Sequence, residues 1–539
     1  MTPKTKKWLI TAGCLVTFSL ILLIGVLVGG SVLRTRFEPY IRSQVISYLE
    51  RRFDSNVDLA GIRIRIPPMS PVHLMFTAGR GTLARVEGFG LVLHQKQAPA
   101  FPPVLTLKNL SFEIDLGAVF DSPIRISRVT LEGMALTIPP KGERAHLQPG
   151  TQHGDGPSNG VIIGEIVATN STLTILPKIA GKNPLTFDIT DLRLQSAGKD
   201  QSMTYAAVLT NPKPPGVIHS MGTFGPWSAD EPGDTPLSGD YNFDHADLGV
   251  FSAIAGTLNS TGNFSGTLSA INAKGKASVP DFRLKDAGNP VPLSTEFEVM
   301  VDGSNGNTIL QPVRATLGRT HFTTSGAVIK QNGELRRTIA LDVNMPSGNL
   351  KDVLRLAMKG TPMMEGKLAL KAKIGIPPLS GKVKEKLLVE GRFRISNGLF
   401  LRSAIQSKID DLSRRGQGQP RNEEIAEVFS NMNGRFRMKD QIISFQSLTF
   451  ETPGAEVKLA GNYNLARDEL DFHGSLGLRA RVSQTMTGWK RWALKPVDPL
   501  FAKNGAGTFL RIKIDGTSRS PNFGVDRSKP EQTISAPAK

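Results

Sequence analysis

The feature that most constrains the fold is a period-two alternation of apolar and polar residues that recurs over most of the chain. Ile62 and Ile64 alternate with Arg63 and Arg65, and the stretch 367–376 alternates apolar residues with lysines in the same way. Successive side chains of a strand point to opposite faces, so these segments predict strands with one apolar and one polar face. Such segments recur at intervals of about 8–12 residues between Gly, Pro, Asn or Asp, which predicts more than twenty strands.

Composition agrees with a turn-rich β protein. The chain has 539 residues, of which 54 are Gly and 36 are Pro, while 39% are hydrophobic. This composition predicts frequent turns and enough apolar material for a sizeable core, and it argues against a mainly helical protein. The length predicts two to four domains at roughly 100–200 residues each. Cys14 is the one cysteine, so an internal disulfide and Cys-ligated zinc or iron–sulfur sites are excluded.

The apolar faces of these strands need a cover, and predicted helices are few. Helical spacing of apolar residues predicts an amphipathic helix over 38–53 and shorter ones over 247–258, 349–358, 400–415 and 422–432. These helices cannot cover more than twenty strands. Two alternatives remain: the sheet folds on itself as a sandwich or barrel, or it curls into a trough whose apolar lining meets an apolar ligand.

The N-terminal run 8–28 contains 21 residues without a charge and continues without one to residue 33. About 20 apolar residues span a hydrocarbon core, so we predict a retained transmembrane helix with Trp8 at the membrane interface. The seven-residue tail before it, with three lysines, favours an N-inside orientation. A signal peptide cleaved near residues 29–31 is the alternative, although its apolar region would be unusually long.

No enzymatic motif is found. The chain has no phosphate-binding loop, nucleophile elbow or zinc-protease helix, and its eight histidines are scattered. His245, between Asp244 and Asp247, is the one site-like group, and a surface turn with Asp247 as a cap explains it better. Asp410 and Asp411 are adjacent on a predicted helix and point apart. We therefore predict no enzyme activity, no cofactor and no metal.

The formal net charge of +18 is spread along strands rather than gathered on a basic helix, which argues against nucleic acid. The basic residues form either a solvated outer face or a surface attracted to anionic lipid headgroups. One local patch, 488–499, combines aromatic rings with cations and predicts a membrane-interface contact, although a loop packing its tryptophans on the sheet explains it too. Its members are Trp489, Lys490, Arg491 and Trp492.

Several segments together resemble one known family. They are LKDVLRLAMKGTPMMEGKLAL (350–370), IPP (376–378), VEGRFRISNGLF (389–400), IQSKIDDLSRRGQG (405–418), PLFAKNGAGTFLRIKIDGT (499–517) and ISRVTLEGMALTIPP (126–140). The chain resembles the AsmA-like family, most specifically over roughly 345–525. The resemblance implies residence in a bacterial inner membrane with the bulk of the chain in the periplasm. By analogy to bridge-like lipid-transfer proteins it also implies a hydrophobic groove for phospholipid acyl chains, and it transfers no catalytic residue.

The predicted architecture is mainly β with a few short helices, in which one N-terminal transmembrane helix precedes an elongated, curled antiparallel β-sheet that forms a hydrophobic groove. The predicted divisions are a cytoplasmic tail (1–7), the transmembrane helix (8–33), an N-terminal AsmA-like β-rich region (34–140), a linker (141–160), middle β-rich repeats (161–345), an AsmA-like C-terminal region (346–525) and a disordered tail (526–539).

The predicted function is lipid transport or lipid homeostasis between inner and outer membranes, with phospholipids and the inner membrane as partners. The alternative is a structural or assembly factor for outer-membrane proteins, which would hold clients at strand edges and bring outer-membrane or periplasmic partner proteins. The predicted groove lining consists of Leu368, Leu370, Ile374, Ile376, Phe393, Ile395, Leu459, Tyr463, Phe472, Leu476, Ile512 and Ile514.

Overall fold

A computed structural model describes most of the chain. The described residues comprise 55–65, 80–95, 102–115, 123–138, 161–176, 184–197, 202–226, 232–285, 287–303, 305–330, 336–419, 427–481 and 507–526. Parts of 39–50 and the single positions 67, 77, 117, 334 and 483 are described as well.

The described chain is mainly β, with few short helices and a large, almost entirely antiparallel sheet, as the alternation predicts. The strands are β1 Ser55–Arg65, β2 Leu83–Gln95, β3 Leu105–Asp115, β4 Ile124–Ile138, β5 Val161–Ile175, β6 Leu185–Ala197, β7 Met203–Pro212, β8 Pro215–Phe224, β9 Pro236–Asp247, β10 Ile254–Ala255, β11 Thr257–Thr267, β12 Ala270–Val279, β13 Arg283–Leu284, β14 Leu293–Val301, β15 Thr308–Leu317, β16 Thr320–Ile329, β17 Thr338–Asn349, β18 Met364–Ile376, β19 Leu388–Phe400, β20 Ser430–Lys439, β21 Ile442–Thr452, β22 Ala455–Asn464, β23 Glu469–Leu478, β24 Thr508–Gly516 and β25 Pro521–Val525. The helices are α1 Leu350–Ala357, α2 Val383–Lys386 and α3 Ser403–Gln417, with 3-10 turns at Pro232–Asp234 and Leu248–Val250.

The chain divides into two compact units. Unit 1 contains Met1–Phe243 and Asn263–Ser269, and unit 2 contains Asp244–Gly262 and Ala270–Lys539. The divisions predicted from the sequence stay predictions.

In unit 1 the strands β1 to β8 pair consecutively, and the pair β4–β5 is parallel whereas the other described pairs are antiparallel. Apolar residues at opposed positions form a core of Val57, Leu59, Leu91, Leu93 and Leu107. Three helical residues that precede β1 pack against this core, namely Val45, Ile46 and Leu49. The amphipathic helix predicted there is thus confirmed for the positions described, and its apolar side covers the first strands.

In unit 2, β12 pairs with β14, and each strand from β14 to β25 then pairs with the next one in sequence. Among the described strands, β25 pairs with β24 alone. Irregular register interrupts several of the pairs, as between Phe445 and Leu448 of β21. A buried cluster of Met345, Leu350, Met364, Leu368 and Ile395 joins α1 to β17–β19.

Local chemistry explains the two longer helices. Asn349 caps α1, because its side-chain oxygen accepts a hydrogen bond from the backbone N–H of Lys351 at 3.0 Å. Gly418 ends α3 in the left-handed conformation, with φ of 70°, which a glycine adopts without steric cost. The predicted helices over 349–358 and 400–415 are therefore confirmed, although α3 begins only at Ser403.

One other predicted helix is wrong, and a second is contradicted over the part that the structure describes. The segment 247–258 instead ends β9, forms the short turn Leu248–Val250 and begins β10 and β11. Asp247 does act as a cap, because its carboxylate accepts the N–H of Gly249 at 2.7 Å. The helix predicted over 422–432 is contradicted at its end, since β20 begins at Ser430 and pairs with β19 and β21. In both places pairing with neighbouring strands outweighs local helical spacing.

Three predicted segments lie wholly or largely outside the described residues: the apolar run 8–33, the linker 141–160 and the tail beyond 526. Within the described part of the chain, no helix has the length and apolar character that crossing a membrane requires.

Candidate functional site

The candidate site is the apolar side of the unit 2 sheet, which the strand register defines. Leu368 of β18 lies opposite Ile395 of β19, and Leu370 lies opposite Phe393. Directly opposed residues on paired strands project to the same face of a sheet, so a face can be followed from one strand to the next. Ile395 is in turn opposite Met432 of β20, which continues the same face.

All twelve residues predicted as groove lining lie on this one face, which we call the apolar face. They are Leu368, Leu370, Ile374, Ile376, Phe393, Ile395, Leu459, Tyr463, Phe472, Leu476, Ile512 and Ile514. The structure thus brings side chains that are up to 146 positions apart in sequence onto one surface across β18–β24. Their contact with lipid stays a prediction.

Burial of the apolar face is uneven. Leu368, Ile395 and Phe472 are buried, with 5%, 7% and 7% of their surface exposed. The other nine predicted residues are only partly buried. In a sealed core between two layers, the inward side chains of central strands are close-packed against the facing layer and are excluded from solvent. The apolar face therefore combines buried positions with positions that retain access to solvent.

The helices explain the burial of Leu368 and Ile395, because both helices lie at one end of the strands. Gln406 of α3 accepts the N–H of Phe400 at 3.0 Å and donates to the carbonyl of Val428 at 3.0 Å. Ser413 of α3 donates to the carbonyl of Pro453 at 2.8 Å. Phe400, Val428 and Pro453 all lie where strands end or begin, so α3 crosses the ends of β19–β22.

Helix α1 occupies the same end of β16–β18. The carboxylate of Asp352, a buried residue, accepts the hydroxyl of Thr320 at 3.0 Å and the N–H of Arg319 at 2.9 Å. Val353 and Leu354 of α1 pack against the buried cluster that contains Leu368. The helices thus cover the apolar face at one end of these strands.

Aromatic rings dominate the middle of the apolar face. Gly461 of β22 lies opposite Phe445 of β21 on one side and opposite Phe472 of β23 on the other. The centroids of these two rings are 5.7 Å apart, although strands two places apart in a sheet are separated by about 9.6 Å. The rings therefore lean toward each other over a position that has no side chain. A Cβ at Gly461 would also overlap the carbonyl oxygen of Asp471.

Two further rings extend this cluster across β19–β21. The ring of Phe393 lies 6.2 Å from that of Phe436 and 6.5 Å from that of Phe445. Phe436 and Phe445 are 6.4 Å apart. Offset and edge contacts at these distances are favourable for aromatic pairs. The four rings form one apolar surface near the centre of the face.

Tyr463 is the one polar residue among the twelve, and its hydroxyl turns away from the face. It donates a hydrogen bond to Asp468 in the turn after β22, at 3.0 Å. Burial raises the pKa of the Tyr463 hydroxyl. The pKa of Asp468 is lowered, chiefly by a hydrogen bond from the Ser518 side chain. The polar group of Tyr463 is satisfied at the strand end, so the site offers an apolar surface.

The opposite face of the same strands is polar and basic. Lys367, Lys371 and Lys373 of β18 are exposed and project away from Leu368 and Leu370. This arrangement confirms the alternation predicted over 367–376.

The other residues considered from sequence form no site. His245 lies in β9 rather than in the predicted surface turn, and its exposed backbone N–H donates to the Asn259 side chain. Asp410 accepts hydrogen bonds from Gln406 and from the N–H of Val428, so it anchors α3. Among the described residues, no three His, Cys, Asp or Glu side chains gather as metal ligands would. Trp8 and the patch Trp489, Lys490, Arg491 and Trp492 lie outside the described residues.

Sequence reasoning missed several residues of the apolar face. Met345, Phe436, Phe445, Phe450 and Val457 share it with the predicted lining. The rings at 436 and 445 were detectable, because each lies in an alternating strand. The register between β20 and β21 is irregular at Arg435–Phe436, however, so counting every second residue does not by itself place both rings on one face.

Comparison with protein-family models, with curated proteins and with solved structures finds no match. The resemblance to the AsmA-like family stays a prediction made from the sequence.

Proposed function

We propose that this chain is an envelope protein for lipid transport or lipid homeostasis, in which the apolar face shields phospholipid acyl chains between inner and outer membranes. The observation that carries the proposal is the apolar face itself. It continues over seven strands, β18–β24, and most of its predicted lining is only partly buried.

Acyl chains suit such a surface energetically. Moving one CH₂ group of an acyl chain from an apolar environment into water costs about 0.8 kcal/mol, so a chain of many CH₂ groups rarely leaves a membrane unaided. A surface of Leu, Ile and Phe side chains removes much of that barrier. It has no fixed pattern of polar groups, so selectivity among lipids follows from the apolar fit alone.

The ring contacts favour a sheet that curls toward its apolar side. Phe445 and Phe472 converge over Gly461, and Phe393 and Phe445 meet across β20. Convergence of side chains from strands two apart is expected where the face is concave. The proposed groove is the trough that this curvature would make, with α1 and α3 at one of its sides.

The membrane location is part of the proposal and rests on the sequence. The uncharged run 8–33 would hold the chain in the bacterial inner membrane, with the N-terminus in the cytoplasm and the bulk of the chain in the periplasm. Membership of the AsmA-like family is proposed on the quoted segments. The proposal assigns no catalytic step to the chain, because the acting residues are apolar.

One observation favours the alternative, an assembly factor for outer-membrane proteins. Strand β25 pairs with β24 alone among the described strands, and Phe523 and Val525 of β25 are 64% and 62% exposed. An exposed edge strand can accept an added strand from a client chain. The experiment below distinguishes this function from lipid transport.

Adjacent residues on one strand provide the test. Leu459 is on the apolar face and Lys458 on the polar face of β22. A photoreactive benzophenone amino acid replaces one or the other in the full-length protein expressed in a double-membraned bacterium. After irradiation, mass spectrometry identifies what is attached. We expect phospholipid at position 459 and none above background at 458.

A second pair of variants tests passage along the face. Leu370→Asp with Ile374→Asp places two charges on the apolar face and should reduce lipid capture at position 459. Asn431→Asp with Asn433→Asp adds the same charge to exposed positions of β20 on the polar face and should leave capture unchanged. Capture of a β-barrel precursor instead of lipid would favour the assembly factor. Equal capture at both positions would rule out the lipid groove.

A further inference from the structure

Three cations lie directly opposite one another on the polar face of unit 2. Lys371 of β18 is opposite Arg392 of β19, and Arg392 is opposite Arg435 of β20. We call these three residues the cationic row. All three side chains are exposed, and neighbouring strands are about 4.8 Å apart, so the row extends over about 10 Å.

The cationic row has no ion pairs within the described residues, whereas several other cations of the described polar surface have them. No carboxylate oxygen of the described residues lies within 4.0 Å of the charged nitrogens of Lys371, Arg392 or Arg435. In the adjacent row, by contrast, Arg437 binds Glu390 at 3.2 Å. Like charges at directly opposed positions destabilise a sheet. The row therefore carries a repulsion that a bound anion would relieve.

A cavity of about 590 Å³ lies over the cationic row. Five cationic and two acidic side chains line it, which gives a net charge of +3, and hydroxyl groups add neutral donors. The charged members are Lys371, Lys373, Arg392, Arg435 and Arg437 with Asp342 and Glu390, and the hydroxyl members on this face are Thr323 and Ser325. The concave surface thus offers an anion several donors at once.

We infer that the cationic row binds a phosphate group. The planar guanidinium groups of Arg392 and Arg435 present paired N–H donors that match phosphate oxygens, and Lys371 adds a compact charge beside them. A tetrahedral phosphate has enough oxygens for all three cations and for a neighbouring hydroxyl. A free phosphate compound and a phospholipid headgroup share this chemistry, and the probes below separate them.

This inference does not depend on the proposed acyl-chain groove, because the cationic row is on the other face of the sheet. The test uses full-length protein in a neutral detergent and titrates it with inorganic phosphate, observed by ³¹P NMR and by the melting temperature. The variant is Arg392→Gln with Arg435→Gln, which removes both charges and leaves polar, uncharged side chains. We expect phosphate affinity to fall at least tenfold, which corresponds to about 1.4 kcal/mol. Without phosphate, the melting temperature should be unchanged or higher, since the repulsion is gone.

The matched control is Arg511→Gln with Lys513→Gln, which removes the same charge from the polar face of β24. There Lys513 pairs with Asp515 at 3.2 Å and Arg511 with Asp526 at 3.6 Å. Phosphate affinity should be unchanged in this variant. An equal loss in both variants, or no binding of phosphate by the native protein, would overturn the inference.

The lipid probe is dihexanoylphosphatidic acid below its micelle concentration. If this lipid binds at least tenfold tighter than inorganic phosphate, and if the Arg392→Gln, Arg435→Gln variant loses that binding, the site is assigned to a phospholipid headgroup. Binding no tighter than that of inorganic phosphate assigns it to free phosphate compounds.

Discussion

Two leucines on the apolar face should respond differently to the same truncation. Leu368 is 5% exposed and packs with Met345, Met364 and Ile395 beneath α1. Leu459 is partly buried, with Leu448 opposite it on one side and a glycine on the other. If the face is sealed at the helical end and accessible elsewhere, Leu368→Ala should cost much more stability than Leu459→Ala.

The magnitudes follow from what surrounds each side chain. Truncation of a buried leucine removes its transfer free energy and leaves a cavity, which together cost about 3–5 kcal/mol. Leu459→Ala removes three carbon groups, whose transfer to water would cost about 2.4 kcal/mol if they were fully buried, at roughly 0.8 kcal/mol for each group. Partial burial reduces this value, and no closed cavity remains, so we expect a loss of about 1–2 kcal/mol. The two variants should differ by about 2 kcal/mol.

Urea unfolding of the full-length protein, followed by far-UV circular dichroism, measures this difference. With a slope of about 3 kcal/mol per molar urea, Leu368→Ala should lower the midpoint by about 1 M or more and Leu459→Ala by about half as much. Lipid capture should show the reverse order, because Leu459 contacts lipid in the proposed groove and Leu368 is covered by protein. Equal losses of stability at both positions would mean a sealed core and would refute the groove.

Three shorter predictions follow from other features. Gly461→Ala should lower the free energy of unfolding by about 1–3 kcal/mol, because a Cβ there meets the backbone of β23. Gly477→Ala is the control and should be tolerated, because the atom nearest to its Cβ is 3.9 Å away. Thermal melts of both variants test this difference. Ser518→Ala should raise the pKa of Asp468, because it removes the hydrogen bond that lowers this pKa. The stability that Asp468 contributes is present above the pKa of the carboxyl in the unfolded chain and is lost as pH falls through its pKa in the folded protein. A carbon-detected NMR titration that finds the same pKa in both proteins would contradict the hydrogen-bond assignment. The N-terminal apolar run should be retained, so the protein should stay with membranes after a carbonate wash, and a soluble form that begins near residue 31 would disprove the anchor.

The alternation predicted the strands and their faces well where side chains alternate strictly. Over 367–376, each apolar residue projects to one side and each lysine to the other, and the register confirms both sets. The same reasoning located α1, because Asn349 precedes an apolar run at helical spacing and caps it. These features depend on neighbours in sequence, which a single chain reveals directly.

Other features depend on partners far away in sequence, and these could not be predicted. The segment that ends at Met432 has helical spacing, yet Met432 pairs between Ile395 and Phe450 and extends the apolar face. The parallel pairing of β4 with β5 likewise has no local signal. The cationic row escaped notice because its three members come from three strands, and only the register places them side by side. The net charge alone had suggested a solvated outer face or a surface attracted to anionic lipid headgroups, without naming any residues of a site.

The order of pairing in unit 2 has a consequence for how the chain reaches its structure. From β15 to β24, every described strand bonds to the strand before it and the strand after it in sequence. Most of these connections are short and cost little entropy to close, and the longer ones after β19 and β23 add only a modest cost, so no strand must wait for a distant partner. Assembly can therefore advance from the amino-terminal side as each segment becomes available, in the manner of a repeat protein. Insertion of one more hairpin would lengthen the sheet by about 10 Å while every existing pair but one keeps its partner.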